Sequence, residues 1–376
     1  MKKSILFVLV IAFSLVTEQA NADFTFGELV NLKSIIPVIT PPDSVDCISF
    51  DGLEMYITSG QGHDNNLRMM RRASKDADWG PLEDIGPGVN SPSPYDDSTS
   101  SISADGLALY FHSSRPGGYG STDIYMTTRE TKKDSWGPPV KLDSKVNSSF
   151  GESCPWISAD GLELYFHSKR SGGSGALDIW VTRRATTNDP WAEPVNLGSV
   201  VNSAYQDVAP CLSSDGLLLF FSGGPDLGPF RPDGYGSADM WMTRRTNLSA
   251  PWQAPVNLGP MVNGPGADVA PRISPDGSTL YFATYEPGTW TSENWQAPIV
   301  PIVDLNGDGI VDANDMCIIV DHWGEDYPLC DVGPMPWGDG VVDVQDLIVL
   351  AEHLFEEFPP SESVEVDEAD DPFPSR

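Results

Sequence analysis

The sequence predicts an all-β fold, a five-bladed β-propeller, with a small α-helical calcium-binding module after it. Three observations lead there. An aspartate-glycine turn recurs at Asp51-Gly52, Asp105-Gly106, Asp160-Gly161, Asp215-Gly216 and Asp276-Gly277, at steps of 54, 55, 55 and 61 residues. Each turn is followed by a strand-like run, LEMYITS, LALYFHS, LELYFHS, LLLFFSG and STLYFAT. From Asp304 this repeat gives way to two Asp/Gly-rich loops, each followed by a helix-like segment.

Residues 1–22 read as a secretory signal peptide. Lys2 and Lys3 precede an apolar run from Ile5 to Val16, and Ala20-Asn21-Ala22 supplies the cleavage site. The run is too short to span a bilayer as a helix, and no later segment approaches that length. The expected location is extracellular or at the cell surface, with the periplasm also open. Acidic residues number 54 against 22 basic ones, a formal charge of -32. Long-range repulsion therefore works against nucleic acid and anionic membrane surfaces, and divalent cations are the natural partners. Of the five cysteines, Cys47, Cys154 and Cys211 lie in apolar strand contexts. Cys317 and Cys330 are close enough in sequence to pair, and no spacing suggests zinc.

Residues 23–300 form the repeat domain. After the first run, the middle three repeats continue as DIYMTTR, DIWVTRR and DMWMTRR, then as a strand opened by tryptophan at Trp136, Trp191 and Trp252. Apolar and polar residues alternate in LELYFHS and DIWVTRR, as half-buried strands require. Four short antiparallel strands at this period describe a propeller blade. The segment FGELVNLKS, Phe26 to Ser34, aligns with WAEPVNLGS at Trp191 to Ser199. It supplies a fourth strand for the last blade and removes an open sheet edge. Six blades result if the two terminal fragments form a blade of their own.

These residues resemble the WD40-like propeller repeats of the TolB type: a serine-rich strand, the Asp-Gly turn, a Y/F-F-x-S strand and an Asp-Ile-Tyr/Trp strand. The resemblance covers about residues 26–300 and speaks to fold rather than function. The first repeat departs from it, with Asn66-Leu67-Arg68 in place of Asp-Ile-Tyr/Trp. The fourth carries a longer loop, GGPDLGPFRPDGYGS.

Eight residues before each turn aspartate stands an acid: Asp43, Asp97, Glu152, Asp207 and Asp268. Near one mouth of the channel, five carboxylates could take a cation or sugar hydroxyls. A residue type repeated in every blade equally serves to hold a turn through backbone N–H groups. A glycosidase needs two carboxylates in different environments, and Glu152 is the only glutamate in the ring. His112 and His167 share one place in adjacent repeats, where a neighbouring strand can satisfy them. The Gly-rich loops at Arg115–Gly120 and Arg170–Gly173, with Tyr119 and Tyr235, turn the chain or form an aromatic sugar-binding rim. Trp79, Trp136, Trp191, Trp252 and Trp295 recur once per repeat, with Phe26 in the matching N-terminal place, and suit inter-blade packing.

The segment DLNGDGIVDAND matches a calcium loop. Asp304, Asn306 and Asp308 offer the first, third and fifth ligands, Ile310 its carbonyl, Asp312 the ninth oxygen and Asp315 the twelfth. This spacing delivers the hard oxygens that Ca2+ requires. A second loop opens at Asp331 and, after the insertion PMPW, resumes with Asp339, Val341, Asp343 and Asp346. The helix-like segments MCIIVDHW and LIVLAEHLFEE follow. Two loop–helix units without leading helices resemble a type I dockerin over about residues 302–357, within a domain of residues 301–357. The resemblance implies that calcium folds the module and that the tenth and eleventh loop residues contact a cohesin. Here those are Ala313-Asn314 and Val344-Gln345, a departure from the usual serine-threonine pair. Residues 358–376 form an acidic tail expected to be disordered.

The sequence thus points to a secreted, non-catalytic binding or scaffold protein. Its propeller would take a polysaccharide or surface protein, and its calcium module would attach it to a cohesin-like or cell-surface partner. A propeller glycoside hydrolase or lyase, and a purely structural surface protein, are the alternatives.

Overall fold

The structure is a computed structural model that describes residues 24–61, 64–86, 88–223, 231–232, 234–285, 292–301, 303–306, 310–325, 330–333 and 341–355. The segment read as a signal peptide, the acidic tail, most of the long fourth-repeat loop, Asp308 and Asp339 lie outside these residues.

The chain opens with β1 (Phe24–Phe26), β2 (Val30–Asn31) and a short helix α1 (Leu32–Ile35). Blade one comprises β3 (Ser44–Ile48), β4 (Glu54–Gln61), β5 (Asp64–Arg71) and β6 (Glu83–Asp84). Blade two comprises β7 (Asp97–Ile102), β8 (Ala108–Ser113), β9 (Asp123–Thr128) and β10 (Val140–Lys141). Blade three follows as β11 (Glu152–Ile157), β12 (Glu163–Ser168), β13 (Asp178–Arg183) and β14 (Val195–Asn196). Blade four contains β15 (Asp207–Leu212), β16 (Leu218–Gly223), β17 (Met240–Arg244) and β18 (Val256–Asn257). Blade five is β19 (Ala267–Ile273), β20 (Thr279–Tyr285) and β21 (Ser292–Pro301), completed by β1 and β2 on β21. The innermost strands β3, β7, β11, β15 and β19 each touch the next, and β19 returns to β3. The ring therefore has five blades.

The recurring turn has one chemistry. Ser49, Ser103, Ser158, Ser213 and Ser274 each donate their hydroxyl to the turn aspartate and accept the amide five residues on. The glycine that follows is left-handed, with φ between 71° at Gly161 and 77° at Gly216, which explains why glycine is kept there.

The core lies between blades. Tyr56 of blade one meets Trp136 of blade two edge-on at 6.3 Å, and Tyr110–Trp191 and Tyr165–Trp252 repeat this at 6.4 Å. Arg72, Arg129, Arg184 and Arg245 cover Trp79, Trp136, Trp191 and Trp252 at 4.3–4.6 Å. Each Nε also donates to the carbonyl of the turn glycine. Trp295 departs from the expected series. It lies within β21 opposite Phe282, the place that Tyr125, Trp180 and Trp241 hold opposite Phe111, Phe166 and Phe221. Phe26 takes the vacated tryptophan place: Gly27 N donates to Pro298 O just as Gly137 N does to Thr128 O.

The C-terminal residues form α2 (Ala313–Asp321) and α3 (Val344–Glu352) around Val303, Val311, Ile319, Cys330, Val342 and Leu350. Cys317 is exposed, Cys330 is buried and both are free, so the pairing open in sequence is not made. Among the described residues, no helix is long and apolar enough to cross a membrane.

Candidate functional site

The five repeated acids stand at or beside the start of the innermost strands. Asp43 is 5% exposed and the other four 2% or less. Each accepts an amide from the loop just ahead: Thr40 to Asp43 at 2.8 Å, Ser91 to Asp97, Ser148 to Glu152 at 2.7 Å, Ser203 to Asp207 and Gly264 to Asp268 at 2.6 Å. Arg115, Arg170 and Arg231 lie 2.6, 2.9 and 2.9 Å from Asp97, Glu152 and Asp207. Each acid is thus directed into its own blade. Glu152 also receives the Ser148 and Ser168 hydroxyls at 2.6 and 2.9 Å.

The glycine-rich loops have a steric cause. A side chain at Gly118, Gly173 or Gly234 would strike Asp123, Asp178 or Asp239. One at Gly120, Gly175 or Gly236 would strike the backbone of the following blade. Those aspartates accept the amides of Tyr119, Gly175 and Tyr235, among others. Tyr119 and Tyr235 themselves stay exposed, and Lys141 Nζ sits 3.8 Å over the Tyr119 ring.

The channel wall is built from a bulge in each innermost strand. Thr99, Cys154, Ala209 and Ala270 hold the left-handed conformation there, at φ 49–55°. This is costly for residues with a Cβ, most of all for β-branched Thr99. The bulge turns each amide toward the preceding blade. Thr99 N donates to Thr58 Oγ1 at 2.8 Å, Cys154 N to His112 Nδ1 at 3.5 Å, Ala209 N to His167 Nδ1 at 3.3 Å and Ala270 N to Ser222 Oγ at 3.4 Å. The two histidines are therefore acceptors in a repeated inter-blade link. Burial, aided by the charges of His112, Arg272 and Lys169, lowers the His167 pKa to about 3.

Two groups break the symmetry. Asp46 stands where the other blades carry Ser100, Pro155, Pro210 and Pro271. Arg272 stands where they carry Cys47, Ser101, Trp156 and Cys211. Asp46, 1% exposed, accepts from Thr58 Oγ1, Ser100 N and Ser100 Oγ, each at 2.9 Å. Burial raises its pKa to about 6, against the Ser100 amide and the Arg272 charge. Arg272 donates to Pro271 O at 2.9 Å and Ala209 O at 3.3 Å and lies 5.6 Å from the Trp156 ring. Among the described residues its Nε–H has no partner. From Asp46, hydrogen bonds run through Thr58 and Thr99 to His112, whose Nε2 is 3.4 Å from Asp96. Burial opposes ionisation of Asp96, but His112, Ser98 and Asn65 hold its pKa low. Toward the Asp-Gly turns the channel narrows to a void of about 20 Å³, lined by Ile48, Ile102, Ile157, Leu212 and Ile273. Asp46 and Arg272 were not among the sequence candidates. Aligning the repeats residue by residue, rather than by their shared letters, would have found both.

In the C-terminal module Asp312 caps α2 and Asp343 caps α3, each in a reciprocal capping box with Asp315 or Asp346. Asp315 is fully buried and accepts Leu305 N, Asn306 N and Asp312 N at 2.8–3.1 Å. Asp346 likewise accepts Gly333 N and Asp343 N at 2.8 and 2.6 Å. Each twelfth-position carboxylate thus draws the start of its loop onto its helix. The donors are all oxygens, which suits calcium. Asp304, Asn306, Ile310, Asp331 and Val341 are among the described residues, where no three His, Cys, Asp or Glu side chains converge on one point. Ala313, Asn314, Val344 and Gln345 are exposed on the first turns of α2 and α3.

No protein-family profile and no curated protein matches the sequence. Solved structures do. TolB from Acinetobacter baumannii is 15% identical with a TM-score of 0.40, covering 68% of this chain and 54% of its own. The chain therefore spans about half the length of that relative. A putative TolB from Agrobacterium tumefaciens is 16% identical with a TM-score of 0.42, over 70% of this chain and 78% of its own. An α-L-arabinofuranosidase from Lactobacillus brevis is 12% identical with a TM-score of 0.47, over 72% of this chain and 94% of its own. These are likenesses of fold, and the five-bladed ring rests on this chain's own strand pairing.

Proposed function

We propose that this is an exported, non-catalytic binding protein whose propeller takes a polysaccharide. Its C-terminal calcium loops would fold a dockerin-like module that attaches it to a cohesin-like or cell-surface partner. One observation carries the reading. Glu152, the one distinct acid of the repeated set, is fully buried, and its two oxygens are engaged by Ser148, Ser168 and Arg170. A carboxylate fully buried and held in this way by donors of its own blade presents no oxygen to a leaving group or a sugar. Calcium would be held by Asp304, Asn306, Asp308, Asp312, Asp315 and the Ile310 carbonyl, and in the second loop by Asp331, Asp339, Asp343, Asp346 and the Val341 carbonyl. Bound there, it would neutralise clustered carboxylates and fix both loops.

The test is incubation of the calcium-loaded protein with a panel of polysaccharides, following both protein depletion and released reducing ends. Depletion without release is the expected result. Release abolished by Glu152→Gln would overturn the non-catalytic reading, and absence of both signals would overturn the polysaccharide.

A second reading, a glycoside hydrolase, would use a different pair and would need a motion that uncovers Asp46, now 1% exposed. Asp46 is raised to about 6 while Asp96 is held low, and Thr58, Thr99 and His112 connect them. Environments that separate two carboxyls in this way are what acid and base roles need. Reducing-end release lost in Asp46→Asn but kept in Glu152→Gln would establish it.

A further inference from the structure

Two blade boundaries contain a motif that a third leaves incomplete. At the first boundary Glu54 of blade one accepts the Tyr56 hydroxyl at 2.9 Å and both terminal nitrogens of Arg129 from blade two, at 3.0 and 2.5 Å. At the third, Glu163 accepts the Tyr165 hydroxyl at 2.8 Å and Arg245 Nη2 at 2.9 Å. The fifth boundary keeps every element but the carboxylate. Tyr281 stands in the tyrosine place and Arg72 in the arginine place, stacked 4.4 Å over Trp79 with its Nε on Gly52 O at 2.7 Å. Thr279 replaces the glutamate: it opens β20 as Glu54 opens β4 and Glu163 opens β12.

A cleft of about 400 Å³ lies at this boundary, lined by Arg72, Lys75, Trp79, Asp276, Thr279 and Tyr281. That is room for a small ligand. Among the described residues, the Arg72 terminal nitrogens and the Tyr281 hydroxyl have no hydrogen-bond partner, and Lys75 reaches only Asp276, at 3.7 Å. The second boundary also lacks a glutamate, with Ala108 in its place. There Arg184 Nη1 donates to Thr187 O at 2.9 Å, and Thr187 stands where Lys75 would supply a second cation.

We infer that the cleft between blades five and one binds a carboxylate, and that this carboxylate belongs to an acidic sugar unit. The ligand's carboxylate takes the place that Glu54 and Glu163 fill elsewhere, on the Arg72 fork and the Tyr281 hydroxyl, with Lys75 adding charge. Asp276, Asp78 and Gln296 on the same walls are acceptors and donors for sugar hydroxyls. The carboxylate rests on the geometry alone, whereas its assignment to a sugar rests on the polysaccharide reading.

The experiment titrates the full calcium-loaded chain by calorimetry with a galacturonate polymer, a glucuronate polymer, the methyl-esterified galacturonate polymer and poly-glutamate. Salt of about 0.15 M screens the long-range repulsion from the acidic protein. At least one uronate polymer is expected to bind and the ester to fail. Arg72→Gln should weaken binding by about tenfold or more. Thr279→Glu installs the missing carboxylate in its own blade, so it should abolish binding while leaving the melting temperature unchanged or higher. Uronate binding that survives Thr279→Glu would overturn the site. Failure of both uronates would overturn the proposal, and if the ester still bound, the polysaccharide reading would stand without it. Poly-glutamate binding that depends on Arg72, without uronate binding, would keep the carboxylate and overturn the sugar.

Discussion

Arg129 Nη1 lies 3.0 Å from Glu54 Oε1 across the first blade boundary, with both side chains almost excluded from water. Removing one partner of such a pair strands the other charge, at a cost of about 3 kcal/mol. Glu54→Gln should therefore lower the denaturation midpoint clearly. Glu163→Gln should cost less, because Glu163 is more exposed and Arg245 reaches it through one nitrogen where Arg129 reaches Glu54 through two. The Arg129 contact holds the Glu54 carboxyl below its ordinary value, although burial opposes it. This stability is present above the unfolded carboxyl pKa and is lost as pH falls through the folded one. Urea melts of both variants at pH 7 and pH 4 would show it.

His167 should give stability a pH slope of the same sign as that of a lowered carboxylate, but beginning at milder acidity. Its pKa is about 3 when folded, against 6.5 when free. The unfolded chain binds the extra proton between those values, so stability is full above pH 6.5 and falls as pH drops toward 3. The slope is about 1.4 kcal/mol per pH unit. His167→Gln, which keeps an acceptor for Ala209 N, should flatten it in urea melts between pH 4 and 7.

Asp46 contributes with the other sign. Its carboxyl holds a proton to about pH 6 in the fold, against 3.8 when free. The contribution is complete below 3.8 and lost as pH rises through 6, by about 3 kcal/mol. Asp46→Asn should remove this loss, so the gap between variant and parent should shift in the variant's favour from pH 4 to pH 8. A gap independent of pH would show that Asp46 is ionised throughout.

Gly120→Ala should destabilise the boundary between blades two and three. Its Cβ would fall 1.5 Å from Phe150 O, a backbone atom that cannot swing aside. The expected loss is about 3 kcal/mol. Gly198→Ala is the control: nothing lies within 4 Å of its Cβ, and it is left-handed at φ 81°, so only backbone strain should register.

Chelation should act on the C-terminal module alone. EDTA is expected to expose residues 301–357 to limited proteolysis while the propeller stays intact, and Asp315→Ala should reproduce this in calcium. Equal resistance with and without EDTA would mean that the loops fold without metal.

The blades were legible because their turns are chemical signatures. Ser, Asp and Gly at fixed offsets form the same hydrogen bonds five times, so a letter pattern is also a geometric one. The closing role of Phe26 could be read for the same reason. Trp295 could not, because a tryptophan looks alike in the third strand and at the start of the fourth; only pairing with Phe282 separates them. The ring acids carried both a ligand and a turn reading, since sequence fixes their spacing but not the amide each accepts. Asp46 and Arg272 were hidden for the converse reason. They are exceptions within the repeat, and attention to what recurs passes over what does not.

The last blade is completed by the first strands, since β21 pairs with β1 and β2 across more than two hundred residues of chain. A growing chain thus holds a broken ring until β21 has been made, with Phe24 and Phe26 lacking the blade-four surface they finally cover. Closure is the step of longest loop entropy. Once the clasp is shut, no blade can peel away as an end, and the ring should open only at the seam where its two chain ends meet.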